Sequence, residues 1–179
     1  MNKITEQKHL SLAGMKTTFW GPAAWNFLFT SVLGTYPEQI NIKNKEHLRI
    51  KKEFKNLFMS LGYIMPCVYC RESYKEFIKE MPIDSQLSGR IKLFFWLYKL
   101  KDKVNKKLIK QENECFKKEH AKLLLKYKEK KINKVQYKCL YEKLETDIYY
   151  TIPSPTFNEV LNHFEQYRAG CNNKSKTCR

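Results

Sequence analysis

Met65-Pro66-Cys67-Val68-Tyr69-Cys70-Arg71 joins one amphipathic stretch that ends near Ile64 to another that runs on from Glu72. The spacing predicts a dithiol at the start of a helix. Pro66 suits the first helical turn, where its missing N–H costs nothing. Cysteines placed there meet unpaired backbone donors and the positive end of the helix dipole. Arg71 adds a cationic neighbour. These features favour the thiolate, which is the nucleophile of thiol–disulfide exchange. The other reading of a Cys-x-x-Cys pair is half of a zinc site. Zinc requires four ligands, and the sequence supplies no matching second pair.

Upstream of this stretch, Ile50, Phe54, Leu57, Phe58 and Leu61 recur at helical spacing. Before them, Pro22 followed by Trp25, Leu28, Phe29, Val32 and Leu33 predicts a first helix that ends near Gly34-Thr35-Tyr36-Pro37. Downstream, a short third helix turns Tyr74, Phe77 and Ile78 inward and closes before Met81-Pro82. Phe94, Leu97, Leu100, Val104 and Leu108 mark a fourth. From Gln111 to about Tyr150 the pattern becomes Lys-rich, with apolar positions at Phe116, Leu123, Leu124, Tyr127, Val135, Leu140 and Leu144, and reads as an inserted helical hairpin. Residues 151–155 break it. Thr156-Phe157-Asn158-Glu159 then has the spacing of a capping box that opens a last helix, with Val160, Leu161, Phe164 and Tyr167 inward and its end at Gly170 and Cys171. The predicted fold is all-α: a four-helix bundle with a short C-terminal helix and an inserted Lys-rich hairpin.

Composition agrees. The 179 residues, 42% apolar and 14% aromatic, suffice for one core, and only six glycines and six prolines argue for helices over many short strands. No stretch approaches the roughly 20 apolar residues of a membrane span. Residues 1–14 lack the apolar core of a secretory signal, so a cytosol-like compartment is expected. Six cysteines, widely spread, are too few for a disulfide-built scaffold and point to redox chemistry. The net charge of +16 is uneven: residues 99–143 carry sixteen lysines against six acids, a net +10. Such a field attracts phosphates. These lysines nevertheless recur with apolar residues at helical spacing, as on a solvated face, and no nucleic-acid module is recognisable.

Trp20-Gly21-Pro22 with Trp25, Tyr36-Pro37, Pro66-Cys67-Val68-Tyr69-Cys70, Trp96, and the run Val104-Asn105-Lys106-Lys107-Leu108-Ile109-Lys110 occur in an order that resembles the Erv/Alr-type FAD-linked sulfhydryl oxidases, especially those of large cytoplasmic DNA viruses. The resemblance covers about residues 19–110 and 153–171. It implies an oxidase domain over 19–171, containing the insertion at 111–150, with an extension at 1–18 and a tail at 172–179. It further implies that Cys67 exchanges with a thiol protein or a thioredoxin-like carrier, that Cys70 lies against the flavin, and that dioxygen is reduced to hydrogen peroxide. By the same resemblance, FAD is held by Trp20, Gly21, Trp25, Phe29, Trp96, Lys101, Val104, Asn105, Lys107, Lys110 and Tyr167. A homodimer and a virion or host-cytoplasmic location are implied, with the mitochondrial intermembrane space as the alternative.

Four features depart from the family pattern: Phe29 stands where a histidine is usual, Lys101-Asp102 replaces His-Asn, the insertion is additional, and Asn158 follows Phe157 where a cysteine is frequent. These departures keep two other readings open, a flavin-free redox relay or binding module, and a basic helical protein that binds nucleic acid. Cys171 and Cys178 are seven positions apart, with six residues between them, and can form a shuttle pair or a structural clip. Cys115 and Cys139 flank the hairpin and read as a bridge between its helices or as buried thiols. His9, His47, His120 and His163 show no metal spacing and read as surface or capping residues.

Overall fold

Helical periodicity is realised along almost the whole described chain. The computed structural model describes residues 14–147 and 152–169. Among them the elements are α1 (Thr17–Thr35), α2 (Lys45–Ile64), α3 (Val68–Glu80), a 3₁₀ turn (Asp84–Gln86), α4 (Arg90–Lys128), α5 (Lys134–Thr146) and α6 (Phe157–Glu165), with no strand. The expected all-α class is therefore correct. No described helix is long and apolar enough to cross a membrane.

The chain divides into two compact units, residues 1–100 with 156–179, and residues 101–155. In the first unit the core is built from α1, α2, α3, the first turns of α4, and α6. Phe29, Val32, Tyr36, Phe58, Leu93, Phe94, Leu97 and Leu100 have no solvent exposure. Rings lock the elements together. Phe29 of α1 lies 4.9 Å from Phe94 and 5.0 Å from Phe164, centroid to centroid, and Phe58 meets Trp96 edge-on at 5.0 Å. The Trp96 Nε1–H donates to the Met81 carbonyl at 2.9 Å and so satisfies the C-terminus of α3. The Tyr74 hydroxyl donates to Phe58 O at 2.7 Å and ties α3 to α2.

The loop after α1 is fastened to the start of α4. The Tyr36 hydroxyl donates to Leu87 O at 2.9 Å, Ile40 N–H to Ser88 O at 2.9 Å, and Arg90 N–H to Pro37 O at 2.9 Å. The Arg90 Nε–H donates to Tyr36 O at 2.6 Å. Gly89 sits where a Cβ would come within 2.4 Å of Glu38 O, so this crossing requires glycine.

The second unit contains the rest of α4 and α5. The α4 helix runs unbroken through Gln111 to Lys128, so no structural boundary falls where the inserted hairpin was expected to begin. It ends in a reversal in which Lys130 N–H donates to Tyr127 O and Lys131 N–H to Lys126 O, with Lys130 at φ 56°. This is the left-handed C-terminal motif that glycine usually supplies. Asn133 and Gln136 then close a reciprocal capping box on α5. Phe116, His120, Tyr137 and Tyr141 stack between the two helices, with His120 Nε2 2.9 Å from the Tyr137 hydroxyl.

Several local expectations need correction. The first helix begins at Thr17, five residues before Pro22, so Pro22 lies inside it. The last helix stops at Glu165, well short of Gly170. Tyr167, expected inward, is 66% exposed. Val135 and Leu140 are exposed because a two-helix unit presents only one apolar seam. His120 belongs to that seam, whereas it read as a surface or capping residue. Cys115 and Cys139 are free, exposed thiols, neither bridged nor buried.

Candidate functional site

Cys67 and Cys70 form a disulfide with their Cα atoms 5.2 Å apart. The pair sits at the very start of α3, though one step away from the predicted register. Cys67 is the N-cap, extended at φ −138° and ψ 122°, and helical geometry begins with Val68. Pro66 therefore precedes the helix instead of occupying its first turn. Cys67 Sγ accepts the Cys70 N–H at 3.2 Å, doing the work that Ser or Asp performs at most N-caps. That N–H and the positive end of α3 both stabilise negative charge on Cys67 Sγ when the disulfide opens.

Arg71, read from sequence as a cationic neighbour of the sulfurs, donates from its guanidinium to Met65 O at 2.5 Å. Its backbone N–H also donates to Cys67 O, at 3.1 Å. Arg71 thus pins the chain on both sides of Pro66. Both cysteines are half-buried, while Tyr69 between them is exposed. The loop is open enough for another thiol to reach and rigid enough to hold its own two sulfurs together. Neither sulfur belongs to a metal-ligating group, and no cluster of three or more metal-ligating side chains occurs among the described residues.

The remaining candidate residues fall into two sets. In the first unit, Trp20 and Trp25 are half-buried on α1, and Trp20 Nε1–H donates to Met15 O at 3.2 Å. A Cβ added at Gly21 would meet nothing within 4 Å, so packing within the chain does not require glycine there. Phe29 has 0% exposure and packs against Phe94, Phe164 and Trp25. Trp96 is buried, and Tyr167 stands exposed beside His163.

In the second unit, Lys101, Val104, Asn105 and Lys107 are half-buried along α4. Helical spacing puts Lys101, Val104 and Asn105 on one face, and Lys107 with Lys110 on another. Asn105 Nδ2 donates to Ile152 O at 3.0 Å and to Ser154 Oγ at 3.2 Å, which fixes the amide. Burial pushes the Lys101 ammonium below the usual lysine range, and Asp102 opposes that shift in part. A half-buried cation disfavoured in this way is relieved by an anionic ligand. Lys110 is exposed and reaches Glu114 at 4.0 Å. Cys171 and Cys178 lie outside the described residues.

One element of the site had no signal in sequence. Gly14 forms an isolated antiparallel bridge with Cys67 itself, through a contact between segments some fifty residues apart. Local periodicity carries no trace of such a pairing.

A profile of the Erv1/Alr family matches residues 22–132. The chain is 33% identical over 95 residues to the mitochondrial FAD-linked sulfhydryl oxidase of Saccharomyces cerevisiae, covering 53% of this chain and 46% of that protein. It is 33% identical over 87 residues to a probable FAD-linked sulfhydryl oxidase of Acanthamoeba polyphaga mimivirus, covering 48% of this chain and 56% of that one. The chain spans about half the length of the curated relatives it matches. With the matched region containing the dithiol, most of α1 and the whole of α2, α3 and α4, the chain belongs to the Erv1/Alr family.

Proposed function

We propose that this protein is an FAD-dependent thiol oxidase that forms disulfides in a thiol protein or a thioredoxin-like carrier. The observation that carries the reading is the Cys67–Cys70 disulfide, held half-buried at the N-terminus of α3 in a chain of this family. The names of both relatives support it.

A substrate thiolate attacks Cys67 Sγ and breaks its bond to Cys70, which leaves as a thiolate. The second substrate thiol then displaces Cys67 from the mixed disulfide, so two electrons and two protons pass to the enzyme dithiol. The Cys70 N–H and the helix N-terminus stabilise Cys67 as the departing thiolate. FAD, when bound, supplies a two-electron acceptor that dioxygen reoxidises, giving hydrogen peroxide. The donor set fits such a group. Within the first unit, half-buried Trp20 and Trp25 offer aromatic surface; within the second, taken by itself, the disfavoured Lys101 ammonium suits a nucleotide phosphate. The assignments of Gly21, Phe29, Trp96, Val104, Asn105, Lys107, Lys110 and Tyr167 to flavin rest on the family resemblance.

A flavin-free relay is the second reading, favoured by Phe29: its ring is fully buried among other rings and can offer a cofactor no hydrogen bond. The absorbance spectrum of purified protein decides between the two. Flavin bands that bleach on adding dithiothreitol and return in air are expected, together with loss of dithiothreitol oxidation in Cys70→Ser. A colourless protein that stays colourless with added FAD, or Cys70→Ser at the parental rate, overturns the oxidase reading. The mimivirus relative supports a virion or host-cytoplasmic location, and the mitochondrial relative supports the alternative. A homodimer is part of the proposal and is tested by sedimentation.

A further inference from the structure

The redox disulfide is crossed by another segment of its own chain. Gly14 pairs antiparallel with Cys67, and the Met15 N–H donates to Pro66 O at 2.9 Å. The local sequence explains why an acceptor stands there. Pro66 has no N–H to give. The carbonyls on either side of it, Met65 O and Cys67 O, are both taken by Arg71. Pro66 O is thereby left as the acceptor for a strand alongside, next to a cysteine that is already extended.

The approach is close. A Cβ at Gly14 would lie 3.3 Å from Pro66 O. The segments that meet carry exposed apolar side chains: Tyr63, Ile64 and Tyr69 lie beside or between the two cysteines along the chain, Met15 lies on the crossing segment, and Phe19 lies in the first turn of α1 that follows it. A backbone acceptor edge recognises any extended peptide irrespective of its sequence, and exposed apolar side chains favour the hydrophobic side chains that incompletely folded chains expose.

We propose that the Pro66–Cys67 backbone is a docking edge for an extended, cysteine-bearing segment of the thiol substrate, and that Gly14 and Met15 occupy it in cis as a strap the substrate displaces. The inference rests on the reading of Cys67–Cys70 as the site of thiol exchange. Pairing beside Cys67 holds the substrate cysteine next to the sulfur it attacks. A substrate S–Cys67 bond forms and the Cys67–Cys70 bond breaks. The second substrate thiol then completes the transfer of two electrons and two protons, as above.

The test uses the full chain and two dithiol probes, dithiothreitol and a synthetic peptide carrying Cys-Gly-Cys within alternating valine and threonine. Met15→Pro removes the strap's N–H donor and keeps the Met15-position carbonyl that accepts from Trp20 Nε1. Rates of Cys67–Cys70 reduction are read by acid quench and thiol alkylation, with circular dichroism reporting the fold. In Met15→Pro the peptide rate is expected to rise about fivefold, the scale of one lost competing hydrogen bond, while the dithiothreitol rate changes less than about twofold. Methylating the peptide nitrogens beside its cysteines, which removes their N–H donors, is expected to abolish the gain. Equal changes for both probes, no change for either, or an undiminished rate with the methylated peptide overturns the docking edge. Failure of dithiothreitol to reduce the wild-type disulfide overturns the oxidase reading itself, and with it this inference.

Discussion

At the scale of single residues, the positions that matter most are those where one atom too many or too few would break a crossing. Gly89 is one, because a Cβ there would meet a backbone carbonyl that cannot rotate away. Gly89→Ala is expected to cost roughly 2–3 kcal/mol, the scale of overpacking in a fixed site, read as a lower urea midpoint. Gly34→Ala provides the contrast. It lies in α1 with nothing within 4 Å of an added Cβ, and the change is expected to raise stability by about 0.5–1 kcal/mol through helix propensity. Equal effects at the two sites would show that the close approach to Glu38 is absent in solution. Cys67 shows how far a residue's role is legible in sequence. Its reactivity and its place at a helix start follow from Cys-x-x-Cys after a proline. Its service as the N-cap, with Pro66 outside the helix, depends on one hydrogen bond to Cys70 N–H that spacing alone does not fix.

At the scale of elements, apolar periodicity located α1 to α4 and α6, because each buries one stripe against neighbours. The ends were less legible. Trp20-Gly21-Pro22 reads as punctuation, yet α1 starts before it, since a proline near a helix start gives up only one early hydrogen bond. Gly170 looks like a stop signal, but α6 frays at Glu165, where an ion pair between Glu165 and Arg168 and the Gln166 N–H bond to Asn162 O close the last turn. The change to a Lys-rich pattern at Gln111 marks no helix end for the opposite reason: with neither glycine nor proline between residues 90 and 128, nothing interrupts α4. The reversal after Lys128 gives a sharp test. Lys130 holds φ 56°, which costs a non-glycine residue about 1 kcal/mol, so Lys130→Gly is expected to stabilise the α4–α5 hairpin by about that amount. Slower amide hydrogen exchange in residues 120–145, with exchange in α2 and α3 unchanged, would be the signature. Faster exchange there would mean that the lysine stem contributes more than its backbone strain removes.

At the scale of the whole molecule, pH reports on burial that no local pattern reveals. Tyr36 has no solvent exposure, and burial pushes its phenol from 10.0 to about 12, while Tyr74 is raised further by the same cause. Burial disfavours the phenolate, so in the unfolded chain these groups lose their protons first. Between pH 10 and about 12 the native state then holds protons the unfolded state has released, and stability falls as pH rises. Below pH 10 their contribution is fully present and flat. Each tyrosine supplies a slope of up to about 1.4 kcal/mol per pH unit in that window. Tyr36→Phe separates this effect from the titration of the many lysines. At pH 8 the variant is expected to be less stable by about 1 kcal/mol, because Leu87 O loses its buried donor. At pH 11 the gap is expected to close or reverse, because the variant has no phenol to ionise. Urea unfolding at pH 8, 10 and 11 provides the measurement. Curves for the two proteins that stay parallel throughout would show that the Tyr36 phenol is not held in the core, and that the crossing of the α1 loop over the start of α4 is looser than its hydrogen bonds require.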